Sequence, residues 1–484
     1  MTRREPRPIS FNLFEMACVG HISHGLWVHP DNTRHRFNDI DFWTSEAKLL
    51  EEGLFDAVFL ADVIGTYDGY RAGPETALRE SVQIPNNDPL VILPAMAAVT
   101  KHLGLAATFS TTYEPPFAFA RRASTLDHLS RGRFAWNIVT SYLPNAARNF
   151  GLADQIEHDT RYAYAEEYLD VLYKLWEGSW DDDAVVQDRD GHVYTDPTKV
   201  RYIDHVGARH SVAGPHLSQP SPQRTPVLFQ AGSSAAGRAF GARHAEAIFV
   251  GANDLAGYRD VVQDVRRRAE ANGRGPDAVR SYAMAVIIVG RTTSEAQRKA
   301  DEYAQLSRAE GYLAHAGGGG IDLAAYPKDM LMTDVVEAEL RAGRDHRNRT
   351  WFYRVDGTVG DALREVTRFD RPPFVAIGTP GEVADRIESW VEQTGLDGFN
   401  LRQFLTPGTA EDFIELVVPE LQKRGLYRTS YEDGTLRERL FGAGRARLPE
   451  NHPGARYRGG AHLGDGLDLA AISPDGVVDV TPVG

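Results

Sequence analysis

Apolar segments of strand length alternate with longer amphipathic segments along most of the chain. Between the apolar runs lie stretches with helical spacing, such as "RYAYAEEYLDVLYKLWEG" (161–178) and "GEVADRIESWVEQTG" (381–395). Strands that are apolar throughout and alternate with helices are typical of parallel βα units. Eight such units predict an α/β fold, a (β/α)₈ TIM barrel. The eight predicted strands are 11–19, 57–62, 104–111, 133–141, 225–233, 245–251, 281–290 and 398–404.

Two long segments interrupt this alternation. Residues 179–224 are rich in Asp, Pro, His and Gly, and residues 305–372 contain "HAGGGG" and "RAGRDHRNRT". Loops of this length are unusual in a compact domain unless they are functional, so we expect insertions that rim or cover a pocket. The run "GGGG" (317–320) lacks the spacing of a phosphate-binding loop and is expected to be a flexible segment.

The barrel with its insertions is predicted to occupy residues 1–426. Residues 427–484 lack strong periodicity and are predicted to be a C-terminal extension, either a subunit arm or a partly disordered segment.

The net charge and the cysteine content restrict which binding partners and which cellular compartment are expected. The net charge is −14, which disfavours nucleic acid and anionic membrane surfaces as partners. The single cysteine, Cys18, cannot form an internal disulfide, which fits a reducing cytoplasm. The N-terminal apolar stretch contains Asn12 and Glu15, unlike a signal peptide, and no apolar run is long enough to cross a bilayer. The sequence therefore predicts a cytoplasmic protein with no membrane partner.

Polar residues follow several of the predicted strands. In a barrel the carboxyl ends of the strands meet at one mouth, where binding groups gather. We therefore expect a ligand with many hydrogen-bonding edges at this mouth. The residues are Cys18 and His21, Asp62, Thr108 and Ser110, Asn137 to Ser141, and Gln230 to Ser234.

The stretch "QAGSSAAGRAF" adds a possible anion site. Gly232 permits a tight turn after the strand, and Ser233 and Ser234 stand at the start of the next helix. The unpaired N–H groups and the dipole of a helix N-terminus favour a phosphate. A serine that only caps the helix is the alternative. Together with the other polar strand ends, the phosphate interpretation is favoured.

Cys18 and the nearby histidines allow other chemistry. His21 and His24 are three residues apart, but a barrel metal site needs further ligands from other strand ends, so a metal-dependent hydrolase is the weaker hypothesis and no metal is expected. A nucleophilic Cys18 would need a base, for which His21 is the candidate. The alternative is that Cys18 is a small buried apolar residue.

Several longer segments resemble one enzyme family. The segments "ATFSTTYEPPFAFARRASTLDHLSRGRFAWNIVTS", "EHDTRYAYAEEYLDVLYKLWEGSW" and "SPQRTPVLFQAGSSAAGRAFGARHAEAIF" resemble the bacterial-luciferase-like flavin monooxygenases, in the branch of the nitrilotriacetate and dibenzothiophene-sulfone monooxygenases. Within that branch, "FEMACVGHISHGLWVHP", "VQIPNNDP" and "VVPELQKRGLYR" are most similar to the long-chain alkane and dimethyl-sulfide monooxygenases. The likeness runs from about residue 11 to about residue 457.

The resemblance implies a cofactor, a partner and a set of binding residues. It implies reduced FMN delivered by a separate NAD(P)H:flavin reductase, reaction with O₂ through a C4a-(hydro)peroxyflavin, and a homodimer or homotetramer. It implies that Asp62, Thr108, Asn137, Thr140 and Ser141 surround the flavin ring. It places the phosphate end of FMN at His158, Tyr162, Gly232, Ser233 and Ser234.

The resemblance also implies a substrate pocket. Cys18, His21, Tyr67, Gln83 and His315 fit the pattern of the alkane enzymes. Tyr142 departs from that pattern, because the alkane enzymes have histidine there and the dimethyl-sulfide enzymes have tyrosine. His21, Tyr142 and His315 are the groups expected to hydrogen-bond the activated oxygen or to move protons.

The substrate class follows from the scarcity of cations at the strand ends. Apart from Arg402, the polar strand ends offer no cation, so an apolar alkane or organosulfur substrate is favoured over an aminopolycarboxylate. The insertion at 305–372 is expected to be a lid that excludes water.

Two further alternatives share the barrel. A deazaflavin-dependent oxidoreductase would need neither oxygen nor a reductase. A flavin-binding protein without turnover would keep the phosphate site and lose the pocket, and the presence of Cys18, His21, Tyr67 and His315 argues against it.

Overall fold

The predicted barrel is present in the computed structural model, which describes residues 7–232, 234–317, 322–343, 357–366 and 374–465. All its strands are parallel, in the order β6-β5-β4-β3-β2-β1-β8-β7, and β6 also pairs with β7, which closes the ring. The eight predicted strands and the TIM-barrel fold are therefore confirmed. The strands are β1 Ser10–Met16, β2 Ala57–Ala61, β3 Gly104–Ser110, β4 Phe134–Val139, β5 Val227–Ala231, β6 Ala247–Phe249, β7 Arg280–Val289 and β8 Gly398–Arg402.

At least one helix separates each pair of consecutive barrel strands, and its ends are marked in the sequence. The last helix before β8, Pro380–Thr394, begins with a capping box, in which Thr379 and Glu382 satisfy each other's backbone N–H groups, and it ends at Gly395 with a φ of 74°. The helices of the described residues are α1 Ile40–Glu52, α2 Glu75–Arg79, α3 Pro89–Ala98, α4 Pro116–Leu129, α5 Pro144–Asn149, α6 His158–Tyr173, α7 Ala235–His244, α8 Leu255–Ala271, α9 Thr293–Leu306, α10 Ala309–Ala316, α11 Met332–Arg341, α12 Val359–Val366, α13 Pro380–Thr394, α14 Gly408–Asp412, α15 Val418–Lys423 and α16 Leu436–Phe441.

The C-terminal extension closes the N-terminal end of the barrel. Leu436 and Leu440 of α16 belong to the same buried cluster as Phe59 and Phe229 of the barrel interior. A Cβ atom on Gly104, the first residue of β3, would lie 2.8 Å from Leu436. The extension therefore packs against the end of the barrel opposite to the predicted mouth. Residues 427–465 of the predicted extension are described, and residues 466–484 lie outside the described residues.

A buried ion pair fixes the extension in place. The Nε of Arg437 lies 2.7 Å from Glu246, and its Nη2 donates to the carbonyl oxygens of Thr225 and Pro226 at 2.8 and 2.9 Å. Arg437 is buried. Since every one of these partners belongs to the barrel, the guanidinium joins α16 to the segments that enter β5 and β6.

The predicted insertions contain secondary structure of their own. Residues 179–224 form two short antiparallel hairpins, Val185–Asp188 with Val193–Thr195 and His205–Val206 with Ser211–Val212. The segment 305–372 contains α10, α11 and α12, while residues 318–320 of the predicted flexible "GGGG" run lie outside the described residues.

Two further observations complete the fold. The short strand Val375–Gly378, which the sequence pattern did not predict, pairs with the second half of β7 outside the ring. Among the described residues, no helix is long and apolar enough to span a membrane.

Candidate active site

A cavity of about 410 Å³ opens at the carboxyl ends of β2, β3, β4 and β5. This volume lies in the range of cofactor and substrate sites. The position agrees with the mouth at which the polar strand ends were expected to meet. Of the predicted site residues, those that line the cavity are Asp62, Thr108, Thr140, Ser141, Tyr142, His158, Tyr162, Gly232 and Ser234.

The ends of β3 and β4 form a hydroxyl-rich wall. Ser141 donates from its Oγ to the Oγ of Ser110 at 2.8 Å, and its backbone is in the left-handed region with a φ of 57°. A non-glycine residue in this region is unusual and often marks a functional site. Asn137 does not line the cavity; its Nδ2 donates to the Oγ1 of Thr108 at 2.9 Å from behind the wall. Asn137 therefore orients Thr108 and does not itself face the cavity.

The start of α7 approaches Tyr162 closely. Ser234 accepts a hydrogen bond from the backbone N–H of Gly237 at 3.0 Å, so it caps the helix, as expected of such a serine. A Cβ atom on Gly232 would lie 2.2 Å from the Nε2 of Gln230 and 2.9 Å from the hydroxyl of Tyr162, so any other residue there would have to displace a side chain. Ser233 lies outside the described residues.

Arg161 is a site residue that sequence reasoning missed. It is 2% exposed, lines the cavity, and donates from Nη1 to the carbonyl oxygen of Ile156. His158 and Arg161 are three residues apart in the first turn of α6, so they share one helix face. That spacing was a usable signal, because His158 was already a predicted phosphate-end residue. The face adds a positive charge to the cavity wall.

Asp62 stands at the end of β2 with a protonatable carboxyl group. Its Oδ1 accepts from the Nδ2 of Asn86 at 2.6 Å, and burial raises its pKa to about 7.

Burial, with a smaller contribution from Asp62, also raises the pKa of the Cys18 thiol. Cys18 is therefore a neutral thiol. The structure favours the small buried residue over the nucleophile for this position.

A chain of hydrogen bonds leads from the cavity wall into the protein. The hydroxyl oxygens of Tyr142 and Tyr67 lie 2.5 Å apart, and Tyr67 donates to the Oε1 of Gln83 at 2.7 Å. Gln83 in turn donates from Nε2 to the carbonyl oxygen of His21 at 3.1 Å. Tyr67 and Gln83 do not line the cavity, whereas Tyr142 does. The hydrogen-bond chain therefore reaches the cavity at Tyr142.

Histidine rings lie behind this chain. The ring of His315, on α10, is 5.0 Å from the ring of Tyr67, and its Nδ1 is 3.0 Å from the Nε2 of His24. The ring of His21 lies 4.5 Å from the ring of Phe14. Burial lowers the pKa of His21 to about 3, with smaller contributions from nearby cationic groups. His21 is therefore neutral at physiological pH.

Arg402 is engaged in holding the loop after β1 and α10 together. Its Nη2 donates to the carbonyl oxygen of Ile22 at 2.6 Å and to the hydroxyl of Tyr312 at 3.1 Å. Since its guanidinium is bonded within the protein and does not line the cavity, Arg402 is not placed to bind a substrate anion there. Among the described residues there is no group of three or more His, Cys, Asp or Glu side chains that could hold a metal ion.

The family model described as luciferase-like monooxygenase matches residues 21–398. The chain is 52% identical over 454 residues to the long-chain alkane monooxygenase of Geobacillus thermodenitrificans, covering 93% of this chain and 98% of that protein. It is 45% identical to the dimethyl-sulfide monooxygenase of Hyphomicrobium sulfonivorans, covering 93% and 94%. It is 34% identical to the nitrilotriacetate monooxygenase component A of Aminobacter aminovorans, covering 89% and 96%.

Solved structures give the same picture. The crystal structure of long-chain alkane monooxygenase aligns with a TM-score of 0.88 at 52% identity, covering 94% of this chain and all of that chain (100%). A riboflavin lyase, solved with modified FMN and its substrate riboflavin, aligns with a TM-score of 0.85 at 38% identity, covering 93% and 100%. The barrel and its insertions therefore have counterparts in solved structures over almost their whole length.

Proposed function

The chain belongs to the luciferase-like monooxygenases, which are flavin-dependent enzymes, and from this we propose that it is the oxygenase component of a two-component system that uses reduced FMN and O₂. The observation that carries the proposal is the cavity at the barrel mouth, which combines a hydroxyl-rich wall, the start of helix α7 and an apolar side. The proposed substrate is a neutral, largely apolar molecule, either an alkane or an organosulfur compound.

The residues of the cavity fit FMN. Arg161, Tyr162 and the start of α7 at Ser234 would hold its phosphate, with His158 beside them. Because residue 232 is a glycine, the space beside the hydroxyl of Tyr162 that a Cβ atom would fill stays open. When bound, reduced FMN would supply the electrons that activate O₂.

The ring of the cofactor would lie on the β2–β4 side of the cavity. Thr108, Ser110 and Ser141 present hydroxyl groups there, and Thr140 lies next to them. Asp62 would reach the ring from the end of β2.

The remaining side of the cavity would bind the substrate and exclude water. Val63, Ile64, Leu143 and Ala146 line it with apolar surface. Tyr142 contributes a hydroxyl group that can accept a hydrogen bond at this surface, and the buried chain behind it holds that group in place. An apolar, water-poor environment limits the unproductive release of hydrogen peroxide.

The scarcity of cationic side chains in the cavity supports a neutral substrate. Among the described cavity-lining residues, Arg161 is the only arginine or lysine, and it would pair with the phosphate of FMN. Arg402 is engaged by Ile22 and Tyr312. An aminopolycarboxylate would therefore lack a cationic partner.

The remaining parts of the proposal concern partners and location. A separate NAD(P)H:flavin reductase would supply reduced FMN, which agrees with the words "component A" in the name of one relative. We further propose a homodimer or homotetramer in the cytoplasm. A deazaflavin-dependent oxidoreductase is the second candidate function, and it would show neither oxygen uptake nor dependence on a reductase.

The test is oxygen uptake by the purified protein with FMN, NADH and a generic flavin reductase. The panel contains a long alkane, dimethyl sulfide, a sulfone and an aminopolycarboxylate, and products are identified by mass spectrometry. An oxygenated product with less free hydrogen peroxide supports the proposal and selects the substrate class. Absence of product together with no binding of reduced FMN would overturn it.

A further inference from the structure

His24 is buried near the proposed pocket, and the proposed function gives it no role. Its Nε2 lies 3.0 Å from the Nδ1 of His315, and the two rings meet edge to face at 5.2 Å. Its exposure is 0%, and the ring of Tyr312 packs against it at 4.9 Å. A Cβ atom on Gly311 would lie 2.7 Å from the Cβ of His24, so the contact with α10 is close.

The elements that carry the two histidines are tied to each other. The backbone N–H of Arg308 donates to the carbonyl oxygen of His24 at 3.0 Å. The side chain of Arg308 pairs with Glu80 at 3.2 Å, and Arg402 bonds both Ile22 and Tyr312. These contacts fix the distance between the histidine rings, so their hydrogen bond has a defined geometry.

The buried nitrogen of His24 decides which ring donates. Its Nδ1 has no hydrogen-bond partner among the described residues. A proton on that nitrogen would be a buried donor without an acceptor, which is costly. Burial also lowers the pKa of His24 well below its usual value, so the ring is neutral. A neutral His24 therefore carries its proton on Nε2 and donates to the Nδ1 of His315.

We propose that His24 is a positioning residue that holds His315 as the tautomer with its proton on Nε2. With Nδ1 occupied as an acceptor, a neutral His315 has only Nε2 left to carry a proton. The rings of His315 and Tyr67 meet edge to face at 5.0 Å, and the hydroxyl of Tyr67 meets that of Tyr142 at the cavity wall. The tautomer therefore sets which ring nitrogen of His315 can donate beside this hydrogen-bond chain. The effect of this donor on turnover rests on the proposed function, whereas the tautomer does not.

The tautomer can be measured directly on the ligand-free protein. In protein labelled with ¹⁵N-histidine, two-bond ¹⁵N–¹H correlation spectra distinguish the two neutral tautomers, and His315→Gln assigns the signals. We expect the wild-type His315 to show the Nε2-protonated pattern. His24→Phe removes the donor and should produce a mixture of tautomers, whereas His24→Gln keeps an amide donor and should restore the pattern. His192→Phe, at an exposed histidine, is the matched control and should leave it unchanged.

The activity readout is the yield of oxygenated product per O₂ consumed. We expect kcat for product formation to fall about tenfold in His24→Phe, with little change in KM, and to recover in His24→Gln. A wild-type His315 protonated on Nδ1, or a His24→Phe spectrum equal to wild type, would overturn the inference. If His24→Phe does not fold, the wild-type and His24→Gln spectra still decide it. A protein without monooxygenase activity but with the expected tautomer would reject the proposed function alone.

Discussion

The hydroxyl oxygens of Tyr67 and Tyr142 lie 2.5 Å apart, and their hydrogen bond has one consistent direction. The amide of Gln83 donates to the carbonyl oxygen of His21, so its Oε1 faces Tyr67 as an acceptor. The single proton of Tyr67 is used there, and Tyr142 must therefore donate to Tyr67. The hydroxyl of Tyr142, which lines the cavity, is then left with lone pairs that can accept a hydrogen bond.

Tyr142→Phe is expected to uncouple oxygen consumption from product formation. The variant loses the acceptor at the cavity wall and leaves Tyr67 without its donor. The loss of the hydrogen bond at the cavity wall alone, about 1.4 kcal/mol, corresponds to roughly a tenfold fall in product per O₂ consumed. The measurement is the ratio of product to hydrogen peroxide in the coupled assay. Tyr194→Phe, at an exposed tyrosine of an insertion hairpin, is the control, and an unchanged ratio in Tyr142→Phe would contradict the prediction.

Arg161→Gln is expected to weaken the binding of FMN more than that of riboflavin. The guanidinium is the only arginine or lysine charge among the described cavity-lining residues, and riboflavin lacks the phosphate it would pair with. A charged hydrogen bond contributes about 1.5–3 kcal/mol, so the affinity for FMN should fall by at least roughly tenfold. Titration of the reduced flavins under anaerobic conditions measures both affinities. Arg121→Gln, at an exposed position of α4, should change neither, and an equal loss for the two flavins would count against a phosphate site.

Gly232→Ala is expected to block the cofactor site. The added methyl group would meet the Nε2 of Gln230 at 2.2 Å and the hydroxyl of Tyr162 at 2.9 Å, so one of these side chains must move. The affinity for FMN should fall about tenfold or more, since overpacking costs about 1–3 kcal/mol. Gly275→Ala, where nothing lies within 4 Å of the added atom, is the matched control. Equal flavin affinities in the two variants would show that the approach at Gly232 is not tight.

Asp62→Asn is expected to flatten the pH dependence of stability. Burial raises the pKa of this carboxyl group from 3.8 to about 7, so over that interval the folded state holds a proton that the unfolded chain has lost. The free energy of unfolding therefore falls as the pH rises from about 4 to about 7. An amide does not titrate, so the variant should lose this contribution and be relatively more stable above about pH 7.

The measurement for Asp62→Asn is the melting temperature at intervals from about pH 4 to about pH 8. Burial also raises the pKa of Glu46 to about 7, but that residue is present in both proteins and cancels in the difference. Asp433→Asn, at an exposed acid, serves as the control. Parallel curves for the wild type and Asp62→Asn would show that the carboxyl is ionised in the folded protein across this range.

Arg437→Ala is expected to destabilise the whole barrel. Removing the guanidinium leaves Glu246 buried without its partner, which typically costs about 3–5 kcal/mol. The free energy of unfolding from urea titration measures this loss. Arg445→Ala, at an exposed arginine of the same extension, should change it by less than about 0.5 kcal/mol. A small effect at Arg437 would mean that the extension is not an integral part of the fold.

The sequence by itself determined the barrel and the location of its mouth. Apolar runs alternating with amphipathic ones specify parallel βα units, and strand direction forces their carboxyl ends to one side. All eight predicted strands were therefore confirmed, and polar residues at their ends, such as Thr108 and Tyr142, line one cavity. The short strand Val375–Gly378 escaped prediction because it pairs only along part of β7.

Only the tertiary structure decided which polar side chains face the cavity and which support them. Asn137 lies behind Thr108, whereas Arg161, absent from the predicted site, lines the cavity. Strand register and helix orientation set these directions, and neither follows from residue type. The contact between His24 and His315 joins residues 291 positions apart. Hydrogen bonds of that kind form only when distant segments pack together, so the local sequence pattern does not predict them.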